Sequence, residues 1–465
     1  MSSGAYGDKR HFLDATSALR WGPSVPTGIP RVEASLISEC LKSEADRIGL
    51  FAFDPTIRRC RMLTEDEEVF VQFVLQPSPV SPGLSRWYER LRRAYSLYKL
   101  NVYCASRETY RSIAQDLLGA SGRSGIAQDV IKVAVMLAFW LMRVWRSIVR
   151  SAERGKLSDP LVSGETRCLL SINTSPFIAK YYAAKDIGCQ LLILNYDTIP
   201  LDFPDYASRG HAERFRRYFS SAMSLADEVI CISEATRRST ADWCARLGIE
   251  TAGKRFQVVQ VASPLAFNAI RSSPIEELRC RRFVLYCSTI EPRKNHQMLL
   301  DVWARLYERH GGDTMPLLVL VGKWGWRVDD IRKSLRGSGH IGNSVRVYAF
   351  LPDEQLIWLY ENALFSVFPS FVEGWGLAAS ESLDFGTPVL VSDAPALGEA
   401  TQGLMPQLDR NDAYAWEQGI ADLIFDEGAR TQLREKIRRE YIRRSPADVF
   451  REIAAILADR SDRDQ

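Results

Sequence analysis

Residues 368–393 read FPSFVEGWGLAASESLDFGTPVLVSD, and their order decides the fold. The apolar run Phe365–Phe368 ends at Pro369, Ser370 to Gly376 form a loop, and Leu377–Phe385 predicts a helix. Pro388–Ser392 supplies the next strand. Short apolar strands separated by helices argue for a parallel sheet covered on both faces. In such a unit the loop lies beyond the carboxyl end of its strand. The following helix then aims unpaired N–H groups at that loop, and both those donors and the macrodipole attract phosphate. Gly374 and Gly376 remove side chains that would block a pyrophosphate, with Trp375 between them and Leu377 opening the helix. Glu373 lies in the loop and Glu381 inside the helix. A carboxylate repels phosphate, so Glu373 suits sugar hydroxyls, while Glu381 suits the two hydroxyls of a ribose. The stretch points to a nucleotide-sugar site.

Working outward, the second half repeats the same alternation. Phe283–Ser288, Leu317–Val321 and Ser344–Ala349 predict strands. Asn295–Arg309 and Asp353–Ala363 predict helices, the latter with Asp353 as its cap. The segment STIEPRKNH, residues 288–296, joins the first of these strands to the first helix. Arg293 and Lys294 therefore sit at the carboxyl end of the sheet, on the side of Glu373. A guanidinium and an ammonium there suit a diphosphate. Two cations opening a helix oppose its dipole, which favours a functional use over a solvated basic turn.

In the first half Cys168–Ile172, Leu191–Tyr196 and Glu228–Ser233 predict buried strands, and His211–Ala226 a helix. The expected fold class is α/β, with two doubly wound Rossmann-like domains facing across a cleft at their carboxyl strand ends. The expected boundaries are 1–265 for a first domain with a helical insertion over about 80–155, and 281–440 for a second domain. Residues 262–280 form the linker, and 441–465 a terminal helix that packs back on the first domain.

The bulk numbers exclude other classes. The 465 residues are too many for one ordinary core. With 60 basic and 57 acidic residues the net charge is +3, without the basic excess of a nucleic-acid protein. Nine cysteines are scattered without a CxxC pair or a Cys/His cluster, so neither a disulfide framework nor a zinc site is indicated. A reducing compartment fits that usage. No G-x-G-x-x-G follows a strand, which argues against a nicotinamide dehydrogenase. The longest apolar run, Val130–Met142, is about 13 residues against the roughly 20 that a membrane span needs. Two readings stand for it. One is a buried helix; the other is a helix on a membrane surface, with Trp140 and Trp145 at the interface and Arg143, Arg146, Arg150 and Arg154 beside it. The cytoplasm is the expected location, with the inner face of the cytoplasmic membrane as the second reading's contact.

STIEPRKNH, LVGKWGW (320–326), LPDEQLIWLYENA (351–363) and FVEGWGLAASESLDFGTPVLVSD together resemble family 4 retaining glycosyltransferases of the GT-B fold. The resemblance covers about 281–440. It continues more loosely in NYDTIPLDFPDY (195–206), ADEVICISEAT (226–236) and PTGIPRVEASL (26–36). Mannosyl- and rhamnosyltransferases of bacterial surface polysaccharides are the nearest in kind. The resemblance implies that Glu373 contacts the transferred sugar, assisted by backbone N–H groups from Gly374, Trp375, Gly376 and Leu377. Glu381 holds the ribose, and Arg293 with Lys294 binds the diphosphate. Gly28 lets the first loop approach the sugar nucleotide, Thr289 lies beside the phosphates, and Asp197 lies near sugar and acceptor. It further implies no metal and no cofactor, a nucleotide-sugar substrate with GDP-mannose favoured, and a glycan or lipid-linked acceptor. Ser288 and Thr289 replace the family's frequent Gly-Arg, which removes one phosphate cation. Tyr196 replaces its usual histidine, Ala349 a frequent glycine, and Trp375 a phenylalanine. Two alternatives are a non-catalytic assembly subunit and a GT-B-fold nucleotide-sugar epimerase. The intact carboxylate and cation pairs weigh against the first, and residues 288–296 against the second.

Overall fold

The computed structural model describes residues 10–21, 28–43, 47–54, 59–63, 68, 71, 159–162, 166–173, 188–206, 210–337 and 339–459. The expected insertion at 80–155 and the apolar-basic segment at 130–154 lie outside them.

The described strands form two sheets. The first has the order β3-β2-β1-β4-β5-β6-β7. Its strands are β1 (His11–Asp14), β2 (Ile48–Asp54), β3 (Arg59–Met62), β4 (Arg167–Ser171), β5 (Gln190–Asn195), β6 (Glu228–Cys231) and β7 (Arg255–Val258). All neighbours run parallel except β3 on β2. The second sheet, order β10-β9-β8-β11-β12-β13, is parallel throughout. It comprises β8 (Phe283–Cys287), β9 (Leu317–Val321), β10 (Val345–Tyr348), β11 (Ser366–Phe368), β12 (Val389–Ser392) and β13 (Gln407–Leu408). Every residue of β2, β4 and β9 is buried, as expected of strands covered on both faces.

Chain order reverses between β1 and β4 in the first sheet and between β8 and β11 in the second. At such a reversal the two adjacent strands send their connections to opposite faces, leaving a crevice beyond their carboxyl ends. STIEPRKNH follows β8 and the Glu373 loop follows β11, so the reversal itself brings these loops together. The backbone N–H of Phe371 donates to the carbonyl of Arg293 at 2.9 Å, tying one loop to the other.

One expected cap is corrected. The helix Asp353–Asn362 begins after Pro352 and has no side-chain cap. The Asp353 carboxylate instead accepts from Arg31 of the first domain, because a cross-domain cation offers a charge-assisted bond. Leu265, Ile275 and Leu278, which precede β8, pack beside Phe283, Leu285 and Tyr360. At the chain's end, the helix Pro446–Ala458 opens with a capping box between Ser445 and Asp448. It buries Val449, Phe450, Ile453 and Leu457 in the first domain's core. Arg167 of β4 fixes it by donating to the carbonyl of Ile456 at 2.7 Å.

Candidate functional site

A cavity of about 410 Å³ lies between the domains, within the range of small-ligand sites. It is bordered by Gly28, Asp197, Thr289, Arg293, Lys294, Glu373, Gly374, Trp375, Gly376, Leu377 and Glu381, all the residues singled out by sequence. Arg31 and Lys323 also line it, so among the described residues four cations face three carboxylates.

Glu373 is the centre of its charge. Lys294 Nζ donates to Glu373 Oε1 at 2.5 Å, and Arg293 Nη1 to Glu373 Oε2 at 3.0 Å. Arg293 also lies 2.7 Å from Glu291, and Lys294 rests 4.9 Å from the centre of the Phe368 ring. Burial alone would raise the Glu373 carboxyl, but Lys294 and Arg293 overturn that and hold it at about 2. Burial pulls Lys294 below its ordinary value, against the attraction of Glu373. The loop glutamate thus meets the two cations rather than standing apart from them.

Glu381 has a different environment. Its Oε1 accepts from Ser263 Oγ at 2.6 Å and its Oε2 from the Tyr360 hydroxyl at 2.8 Å. The nearest cation is Arg31, whose Nη1 lies 3.7 Å from Oε1. Each carboxylate oxygen keeps a further lone-pair site, so the group can still accept from a ligand hydroxyl.

The glycines have structural reasons that local sequence did not reveal. A Cβ on Gly374 would lie 2.2 Å from the carbonyl oxygen of Tyr196 and 3.0 Å from Asp197 Cβ. The Gly374 carbonyl accepts from Ser233 Oγ at 2.7 Å and Thr236 Oγ1 at 3.2 Å. This glycine therefore lets the two domains touch. Gly376 has φ 109°, a backbone that side chains disfavour, and a Cβ there would meet Leu397 Cδ2 at 2.5 Å. Trp375 between them is buried in the first domain's apolar core as well as bordering the cavity.

Across the cleft, Asp197 Oδ1 accepts the backbone N–H of Ile199 at 3.0 Å. Burial raises its carboxyl above the ordinary value, with Arg293 pulling down and Glu373 pushing up, which places it within their electrostatic reach. Tyr196 is buried and donates its hydroxyl to Glu33 at 3.0 Å. It serves the first domain's interior. His296 stacks on Tyr286 with centroids 4.7 Å apart, and burial and then Lys294 push it down to about 3, so it is neutral. Among the described residues no group of three or more His, Cys, Asp or Glu side chains is gathered to hold a metal, and no disulfide is formed. None of the described helices is long and apolar enough to cross a membrane.

Arg31, Ser263 and Tyr360 were not singled out by sequence. Arg31 had a usable signal, since it too is a cation in the first turn of a helix, Ile29–Ser43. Ser263 and Tyr360 had none, being a linker serine and a helical tyrosine.

Two Rossmann-like domains with such a site between them define the GT-B architecture. The chain superposes over 97% of its length on 98% of sucrose-phosphate synthase from Thermosynechococcus elongatus, with TM-score 0.58 and 15% identity. For Anabaena HepE in complex with UDP and glucose the shares are 97% and 99%, with TM-score 0.54 and 14% identity. Residues 274–440, which contain the second sheet, match the family Glycosyl transferases group 1. The O-antigen chain mannosyltransferase B of Escherichia coli is 34% identical over 154 residues, 33% of this chain and 40% of that protein. A serotype-specific mannosyltransferase WbdA of Escherichia coli is 26% identical over 219 residues, 44% of this chain and 26% of that protein. The chain thus matches less than half the length of either relative.

Proposed function

We propose that this chain transfers a hexose from a nucleoside diphosphate sugar to a glycan or lipid-linked acceptor of a bacterial surface polysaccharide. The observation that carries the reading is the Glu373–Lys294–Arg293 cluster at the sheet reversal, inside a cavity that also holds Glu381. An incoming diphosphate takes the two cations, and Glu373 turns to the hydroxyls of the transferred sugar. Glu381 accepts the ribose hydroxyls, and the helix Leu377–Asp384 aims its free N–H groups at the phosphates.

Transfer proceeds with retention of configuration. The bond from the sugar's anomeric carbon to the phosphate oxygen breaks as the acceptor oxygen bonds to the same face. The acceptor proton passes to the leaving diphosphate, and Arg293 with Lys294 neutralises the charge that develops there. No enzymic nucleophile enters this scheme; the protein's contribution is positioning and charge stabilisation. Asp197 borders the sugar and acceptor side. Mannose is the favoured sugar, supported by the names of the two relatives, and GDP is its favoured carrier.

The reading is tested by thermal shift and product analysis with GDP-mannose, dTDP-rhamnose, UDP-glucose and UDP-galactose. GDP-mannose should raise the melting temperature most and yield GDP and mannosylated acceptor. Stabilisation by none of the four would reject the nucleotide-sugar site. Conversion of the sugar nucleotide to its epimer, without transfer, would select the epimerase alternative.

A further inference from the structure

We propose that Arg410 is a positioning residue: from outside the cavity it holds the Glu373 loop against the loop of Arg293 and Lys294, and so sets the geometry of that charged cluster. This rests on the nucleotide-sugar reading above. Arg410 lies just beyond β13, which is two strands from β11 in the second sheet. It is not among the described residues that border the cavity. Its influence on a ligand must therefore pass through other residues.

The loop after β11 has left the sheet, so its carbonyls need partners from elsewhere. Three in succession receive them from side chains. Ser392 Oγ donates to the Ser370 carbonyl at 2.6 Å, the Arg410 guanidinium to the Phe371 carbonyl, and Arg293 Nη1 to the Val372 carbonyl at 2.8 Å. Glu373 is the next residue. Ser392 ends the neighbouring strand β12 and Arg293 belongs to the charged cluster, so Arg410 brings the one donor of the three from a third loop. Asp393 orients its guanidinium: Oδ1 accepts from Nε at 2.6 Å and from the Arg410 backbone N–H at 3.2 Å. The Arg410 carbonyl in turn accepts from Asn295 Nδ2 at 3.1 Å, one residue beyond Lys294. With the bond from the Phe371 N–H to the Arg293 carbonyl, these contacts close a circuit through both loops of the cluster. At 23% and 47% exposure the Arg410–Asp393 pair adds little stability as an ion pair. Its value is geometric. Charge stabilisation depends on placement, and a displacement of about 1 Å can cost about a hundredfold.

The test titrates the full chain calorimetrically with GDP, UDP, GMP and UMP, alongside urea unfolding. Arg410→Met should weaken the better-bound diphosphate by about tenfold. The matching monophosphate reaches less of the cluster and should change little, so the ratio of the two affinities falls. Arg410→Lys should recover part of that ratio, because an ammonium keeps the charge but cannot serve Asp393 and the Phe371 carbonyl with the same fork. Should Arg410→Met not fold, Arg410→Gln carries the same comparison. A role in stability alone gives a different pattern: the urea midpoint falls while the affinity ratio stays at the wild-type value. That result, or an equal loss for monophosphate and diphosphate, overturns the proposal and leaves the nucleotide-sugar reading standing. If neither diphosphate binds the wild type, the nucleotide-sugar reading falls and takes this one with it.

Discussion

The two glutamates of the site are buried to similar extents but neutralised in opposite ways. Glu373 has two full cations within 3.0 Å and Glu381 has two hydroxyls within 2.8 Å. The difference separates their chemistry. A carboxylate held between cations can hand those cations to an incoming anion and become available itself. A carboxylate held by neutral hydroxyls is an oriented acceptor that can take further hydroxyls without rearranging charge. The first suits the place where a diphosphate arrives and leaves, and the second suits a ribose. Their neighbourhoods in the chain differ accordingly. The partners of Glu373 lie in one loop beyond the adjacent strand, whereas those of Glu381 come from the linker and from another helix.

The strongest test of this contrast is Glu373→Gln. Lys294 would lose its one ion-pair partner among the described residues while remaining buried. Arg293 would keep Glu291. Removing one member of a buried pair costs about 3–5 kcal/mol, so the denaturant midpoint should drop accordingly and transfer should be lost. The double variant Glu373→Gln with Lys294→Met should recover part of the stability and none of the transfer. A single variant as stable as wild type would mean that Glu373 does not hold the cations as described.

Acid sharpens the same comparison at somewhat smaller cost. The Glu373 carboxyl stands at about 2 in the fold against an ordinary 4.5. A folded value below the unfolded one gives stability that is complete above about pH 4.5 and lost as pH falls towards 2. Its full extent is about 3 kcal/mol for a group this buried. Unfolding by urea at intervals between pH 6 and pH 3 should therefore show a shallower loss in Glu373→Gln than in wild type. Parallel curves would remove Glu373 as the source of that dependence.

Most of this architecture could be read from residues near in sequence. Strand and helix alternation in the second half placed STIEPRKNH and the Glu373 loop at the same sheet edge, because adjacent parallel strands put their carboxyl ends together. The bounds of the expected strands were met to within one or two residues, since short apolar runs bounded by glycine, proline and polar residues leave little freedom, whereas the terminal helix begins at Pro446 rather than 441, and β1, β2, β3, β7 and β13 were not among the expected strands. What escaped within the site depends on distant chain segments. Arg31 and Asp353 are 322 positions apart, and Ser263 and Glu381 are 118 apart. Nothing local distinguishes a capping aspartate from one that reaches another domain. Gly374 was visible as a glycine, but its close approach to Tyr196 follows only from how the two sheets meet.

The smallest expected effect concerns how Glu381 is oriented. Ser263 is 1% exposed, and its hydroxyl fixes Oε1 from the linker while Tyr360 fixes Oε2 from the second domain. Ser263→Ala removes one neutral donor to a charged acceptor and should cost about 1–3 kcal/mol of stability, with a modest loss of nucleotide affinity. Tyr360→Phe should do the same. Because both act on one carboxylate, the double variant should depart from additivity by about 0.5 kcal/mol or more. Stability should be read by urea unfolding and affinity by titration with the better-bound diphosphate. Strict additivity of the two changes would show that the hydroxyls do not act through Glu381. The carboxylate's orientation would then have to come from Arg31, and the contrast between a cation-held and a hydroxyl-held glutamate would collapse.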